Sequence, residues 1–207
     1  DVELFGRVVR LGISDLNVGL LYILSVASVA VYGIVLAGWS SANKYSLMGG
    51  LRASAQMISY EIALGLAIIG PILLAGTMSL QGIIAAQQQT TWYVVWQPVS
   101  ALVFFLAGLA EVNRAPFDMP EAEQELTAGY FTEYSGMKFS LFFMGEYIKM
   151  VAVSAIAATL FFGGYLGPYV EQLPWLGIFY FSVKTAAFLF VMIWLRLTLP
   201  RLRYDQL

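Results

Sequence analysis

The run VGLLYILSVASVAVYGIVLAG, Val18 to Gly38, holds 21 residues without a single charge. As an α-helix it reaches about 31 Å, the thickness of a bilayer's hydrocarbon core. Four further apolar tracts follow it. A second span is expected at Ile62 to Leu80, interrupted by Pro71, and a third from about Val94 to Ala110. A fourth runs from Phe139 to Gly163 with Glu146 and Lys149 inside, and a fifth from Leu173 to Leu195 with Lys184 inside. The expected fold is all-α, a polytopic transmembrane bundle of about five spans forming a single membrane domain over 1–207.

Composition agrees with that reading. Of the 207 residues, 59% are hydrophobic and 12% charged, with a mean hydropathy of +0.75. A soluble domain carries about 25% charge. The net charge of −2 gives no reason to expect a nucleic-acid partner. The chain contains neither histidine nor cysteine. It therefore lacks the thiolate and imidazole that hold zinc, iron–sulfur clusters and most haems, and it has no Ser-His or Cys-His nucleophile. No metal site is expected, and any redox cofactor belongs on another subunit. The first residue is Asp1, and Asp1 to Asn17 lacks the pattern of a signal peptide, so the chain reads as a piece of a longer subunit.

Lysine and arginine set the expected orientation. Lys44, Arg52, Arg114, Lys138, Arg201 and Arg203 fall on one side of the spans, and Arg7 and Arg10 on the other. The richer side is cytoplasmic by the positive-inside rule. That places Leu207 and the long acidic loop 112–138 in the cytoplasm.

Charges within membrane spans are costly and mark ion paths or buried pairs, which singles out Glu61, Glu111, Glu146, Lys149 and Lys184. Glu61 opens the second span, Glu111 closes the third, and Glu146 lies about two turns into the fourth. In the functional reading, these three carboxylates from three helices meet at similar depth as a proton relay, in which Glu146, the deepest, is the one expected to change protonation state. A blander reading has Glu61 and Glu111 reaching the headgroups, and Glu146 pairing with Lys149 at i,i+3.

The loop 112–138 carries Asp118, Glu121, Glu123, Glu125 and Glu133. Asp118-Met119-Pro120-Glu121 has the spacing of a helix N-cap with its capping-box glutamate. Capping accounts for two of the five acids and leaves a solvated acidic face or a polar chamber wall for the rest. Arg52, in the stretch Ser40 to Tyr60 read as a loop, and Arg114 are either anchors for those acids or topology signals. Tyr130, Phe131, Tyr134 and Phe139 read as interfacial belt residues ahead of a ligand pocket.

The stretch Glu111-Val112-Asn113-Arg114-Ala115-Pro116-Phe117-Asp118, continued by Met119 through Leu126, closely resembles the signature of the NuoH family. These are the quinone-site membrane subunits of proton-pumping NADH:quinone oxidoreductase, respiratory complex I. Glu133-Tyr134-Ser135-Gly136-Met137-Lys138-Phe139, Gly145-Glu146-Tyr147, Ala37-Gly38-Trp39-Ser40-Ser41 and Asn43-Lys44-Tyr45-Ser46 carry the same resemblance, with a bacterial wording. It implies a subunit of a bacterial inner-membrane enzyme that takes quinone as substrate. Flavin and iron–sulfur clusters would sit on a peripheral arm, and antiporter-like membrane subunits would complete the pump. Arg52, Arg114, Asp118, Glu121, Glu123, Glu125 and Glu133 would line the quinone chamber and coupling loop. Glu61, Glu111 and Glu146 would begin the proton path.

Family members have about eight transmembrane helices, of which this chain resembles the third to the seventh. The complete chamber therefore needs segments found elsewhere in the family. Some relatives place a carboxylate in the helix matching Val18 to Gly38. Here that step falls to water, to another subunit, or to hydroxyls such as Ser25, Ser28 and Tyr32. Two other roles compete with energy coupling: a passive membrane anchor for a redox arm, and the related anchor subunit of a membrane-bound hydrogenase.

Overall fold

The computed structural model describes residues 2–4, 7–9, 16–114, 116–118, 129–170, 172–173, 175–200 and 202. A short antiparallel ribbon, β1 (Val2–Leu4) paired with β2 (Arg7–Val9), precedes the helices. The apolar tracts then fold as α1 (Gly19–Ser40), α2 (Lys44–Ala75), α3 (Leu80–Gln89), α4 (Tyr93–Trp96), α5 (Pro98–Glu111), α6 (Gly136–Phe162) and α7 (Trp175–Thr198). Helices α1, α2, α6 and α7 are long and apolar enough to cross a membrane, and α5 is a shorter apolar helix of 14 residues.

Three stretches depart from the hydropathy reading. The second apolar tract does not begin a helix at Ile62, because the helix already starts at Lys44 and takes in the segment read as a loop. Asn43 caps it, accepting the Tyr45 N–H at 3.0 Å. The third tract is broken between α4 and α5 at Gln97, where Pro98 takes the first helical position. The polar connection 81–91 is largely α3, capped by Ser79, whose hydroxyl accepts the Gly82 N–H at 3.3 Å.

Pro71 lies inside α2 and cannot donate to the carbonyl of Ala67 four residues back. Ser100 of α5 supplies the missing donor, its hydroxyl bonding the Ala67 carbonyl at 2.6 Å. A break in one helix thus becomes a joint between two.

The chain runs up and down between two ends. At one end lie the α1–α2 turn, the close of α5, the start of α6 and the last turn of α7. Leu202 N–H bonds the Pro116 carbonyl there at 3.0 Å. At the other end lie α3, α4 and the α6–α7 connection. The buried core sits where α2, α3, α5, α6 and α7 meet, around Leu64, Ile68, Ile83, Phe104, Leu160 and Met192. Large apolar side chains such as Tyr22, Val29, Leu66, Leu73, Ile148 and Phe190 point outward, as lipid-facing positions of a multi-pass membrane protein do.

Close helix contact positions the site. A Cβ on Gly38 of α1 would lie 2.8 Å from the Ser46 carbonyl oxygen and 3.3 Å from Gly50 Cα, so α1 and α2 touch backbone to backbone. One residue earlier on α2, a Cβ on Gly49 would lie 2.8 Å from Gly129 Cα. That seats the 3-10 turn Gly129–Phe131 directly on α2.

Candidate functional site

Helix α5 ends at Glu111, and Asn113 then turns the chain with a left-handed φ of 55°. This delivers Arg114 back toward α6. Gln56 of α2 holds the turn, its buried side-chain amide donating to the Ala110 and Phe117 carbonyls at 2.8 Å each. A helix end leaves carbonyls without intrahelical donors, and Gln56 supplies one from a neighbouring helix.

Arg114 is 3% exposed, and a guanidinium so deeply placed needs a counter-charge. Its Nη2 lies 3.0 Å from Glu146 Oε2 of α6. The guanidinium also lies over the rings of Tyr147 and Phe143, at 5.0 and 5.7 Å from their centroids. Tyr130 donates from its hydroxyl to Glu146 Oε1 at a long 3.4 Å. Alongside, Lys149 Nζ lies 3.1 Å from Glu111 Oε1.

The pairing is crosswise. Glu111 and Arg114 are three residues apart at the close of α5, and Glu146 and Lys149 are three apart on α6. Each carboxylate takes the cation of the other element. The local Glu146–Lys149 pair is not the one formed; Lys149 binds Glu111 and Glu146 binds Arg114.

Of the three expected relay carboxylates, two meet in this cluster. Glu61 instead bonds the hydroxyl of Ser28 on α1. That hydroxyl also lies 3.0 Å from the Leu24 carbonyl. Ser28 therefore has an acceptor for its proton whether Glu61 is ionised or protonated, and it can accept in its turn from a protonated Glu61.

The expected chamber residues divide. Asp118 is half-buried and acts electrostatically on Glu146, as does Arg196 of α7. Arg52 is half-buried on the third turn of α2. Glu133 is exposed at the α1–α2 turn, where Asn43 Nδ2 donates to it at 2.9 Å, apart from the ion pairs. Glu121, Glu123 and Glu125 lie outside the described residues, as do Arg10, Arg201 and Arg203. Tyr130 and Phe131 do not face the interface: both are buried and stack with ring centroids 4.1 Å apart. Lys184 lies at the far end of the bundle, among backbone carbonyls.

A cavity of about 110 Å³ opens beside Arg114, bounded by Leu109, Val112, Tyr147, Met150, Met192 and Arg196 among others. It is large enough to hold water. Two guanidinium-bearing residues line it.

Sequence reasoning missed Gln56, the residue that positions the cluster. An amide in a helix whose later turns are apolar was the available signal, since buried amides are hydrogen-bonded.

The fold and the cluster define a multi-pass helical membrane protein with buried, crossed ion pairs at one end. A family model described as NADH dehydrogenase matches residues 4–207, and the chain belongs to that family. It is 56% identical over 206 residues to the H subunit of NADH-quinone oxidoreductase from Protochlamydia amoebophila, covering 100% of this chain and 62% of that one. It is 51% identical over 215 residues to the corresponding protein of Thermomicrobium roseum, again covering 100% and 62%. The second of two such H subunits in Geobacter metallireducens is 57% identical over 193 residues, or 93% of this chain and 55% of the relative. The chain thus spans about three-fifths of the length of the curated relatives it matches.

Proposed function

We propose that this chain belongs to the membrane subunit of a bacterial NADH:quinone oxidoreductase and couples quinone reduction to proton movement through Glu146, Glu111 and Glu61. The crossed ion pairs carry the proposal. They lie buried beside the 112–138 loop, which is the proposed wall of the quinone chamber, with Arg52, Arg114, Asp118 and the loop acids as lining. Electrons come from an iron–sulfur partner subunit, and the reduced quinone takes up protons.

A change of charge at the loop acts on Arg114 first, because Arg114 belongs to the loop motif and to the Glu146 pair at once. When Arg114 is drawn toward the loop, Glu146 loses its counter-charge in a partly desolvated site. It then takes up a proton, with the Tyr130 hydroxyl beside its Oε1 and the cavity beside its partner Arg114 in support of that reading. When Arg114 returns, the proton leaves. Glu111 and Lys149 respond next, since each lies three residues from a member of the first pair. Glu61 with Ser28 stands for the step toward α1.

The passive-anchor reading has one observation in its favour: Glu111 and Glu146 each already face a cation, as in a static clamp. Vesicles supplied with NADH and quinone separate the two. The relay reading expects Glu146→Gln to abolish proton pumping while the assembled complex still oxidises NADH. Pumping at the wild-type ratio of protons to NADH would sink it. Orientation has its own test in this cysteine-free chain. A cysteine placed at Gln124 should resist impermeant thiol reagents added outside intact cells, and labelling from outside would reverse the assignment.

A further inference from the structure

The far end of α6 is closed in an unusual way. Gly163 and Gly164 both take left-handed conformations, with φ of 70° and 52°, and turn the chain. The Gly164 N–H bonds the Ala158 carbonyl at 2.9 Å. Gln87 of α3 donates to the Thr159 and Leu160 carbonyls at 3.0 and 3.1 Å. The carbonyls of Phe162, Gly164 and Leu166 converge on one point, occupied by the Nζ of Lys184 from α7, at 2.7, 2.9 and 2.7 Å. The Trp92 ring lies 5.3 Å from the same nitrogen. Among the described residues no carboxylate pairs with it.

An ordinary helix end is satisfied by one donor per carbonyl. Three carbonyl dipoles aimed at one point repel one another unless something positive sits between them. This is how carbonyl rings in potassium-selective pores replace an ion's hydration shell. The contacts of 2.7–2.9 Å are longer than the roughly 2.3–2.6 Å of calcium and the roughly 2.0–2.1 Å of magnesium. They suit an ammonium or a potassium ion, which are close in size, and are long for sodium or lithium. The adjacent aromatic face adds a cation–π contact.

We propose that the carbonyls of Phe162, Gly164 and Leu166 form a monovalent-cation site of potassium or ammonium size, and that Lys184 is its tethered resident cation. Tethering makes the α6–α7 junction independent of the ions around the protein. A free ion can reach the site once the tether is removed, because Trp92 and Leu166 also line an open groove of about 850 Å³.

The test uses the detergent-purified membrane complex, in which both ends of the bundle meet the same salt. Lys184→Ala empties the site. Its complex should melt below the wild type in sodium or lithium chloride and gain about 2–4 °C, saturably, in potassium or ammonium chloride at equal concentration. The wild-type complex should melt at one temperature in all four salts. A melting temperature of Lys184→Ala that ignores the identity of the cation would overturn the proposal, and so would equal selectivity in the wild type. Lys184→Met keeps the length and fills the space with an apolar chain. It should melt below wild type with no cation selectivity, and an unchanged melting temperature would show that the carbonyls need no cation. If Lys184→Ala fails to assemble in sodium chloride, assembly is compared in the other salts: rescue by potassium or ammonium supports the site, and failure in all four overturns it.

Discussion

The two ends of the bundle meet α6 in opposite ways. At both, side chains from other elements meet the helix where buried polar groups need partners. Toward one of them, midway along α6, Glu146 and Lys149 are each held by one opposite charge, from Arg114 and Glu111. At its close, Gln87 and Lys184 bond five backbone carbonyls that bear no titratable group. Adding one proton to a carboxylate unmakes its charge pair, whereas the Gln87 amide bonds its carbonyls with no charge to lose. On the proposed relay one end changes state and the other stays fixed, so mutations at the two should have different signatures.

The largest effect is expected at the first end. Glu146→Gln strands the buried Arg114 guanidinium and should destabilise the assembled complex by about 3–5 kcal/mol. Proton pumping should be lost as well. Replacing both partners, as Arg114→Met with Glu146→Leu, removes the uncompensated charge and should return most of the stability. The relay reading expects pumping to stay absent in that double variant. Thermal melting and vesicle acidification on the same preparation separate the two quantities, and recovery of both together would make the pair a clamp only.

At the fixed end the pattern should invert. Gln87→Leu leaves the Thr159 and Leu160 carbonyls without their side-chain donor, a cost of about 1–3 kcal/mol for each group left unsatisfied. Assembly yield and melting temperature should fall, while protons moved per NADH by the surviving complex stay at the wild-type ratio. A changed ratio would mean that the far end of α6 takes part in coupling, which would collapse the contrast.

This division was only half legible in the sequence. Hydropathy located α1, α6 and α7 because their lipid-facing sides are apolar, and intramembrane charge pointed to Glu111 and Glu146. It missed the first turns of α2, since Ser46, Gly49, Gly50, Arg52 and Ser54 depress the hydropathy there. Gly50 lets α2 lie against α1, and Gly49 lets it lie against the Gly129 turn. The crossed pairing was not readable either. With i,i+3 spacing on both elements, the local and the crossed arrangements look alike until the turn at Asn113 fixes where Arg114 points. Gln56 and Gln87 went unassigned for a related reason: neither the single Gln56 nor the run Gln87 to Gln89 carries a motif, and the importance of both comes from carbonyls on other elements.

The smallest effect is expected at Ser28, between the two extremes, because its hydroxyl neither carries charge nor caps a helix. With Glu61 ionised, the Ser28 hydroxyl donates to the carboxylate. With Glu61 protonated, the carboxyl donates to Ser28 Oγ, and the serine proton turns to the Leu24 carbonyl at 3.0 Å. Ser28 thus serves both protonation states, so its loss should bias neither strongly. Ser28→Ala removes one hydrogen bond, worth about 0.5–1.5 kcal/mol, or up to about 3 if it is stronger with the charged acid. The melting temperature should fall by no more than a few degrees per kcal/mol lost. Pumping should slow, because proton exchange at Glu61 loses its one observed side-chain partner, but it should not stop, as it should with Glu61→Gln. Ser28→Thr keeps the hydroxyl and should restore the rate. Equal pumping in Ser28→Ala and wild type would remove α1 from the proton path and confine the labile end of the molecule to the cluster between α5 and α6.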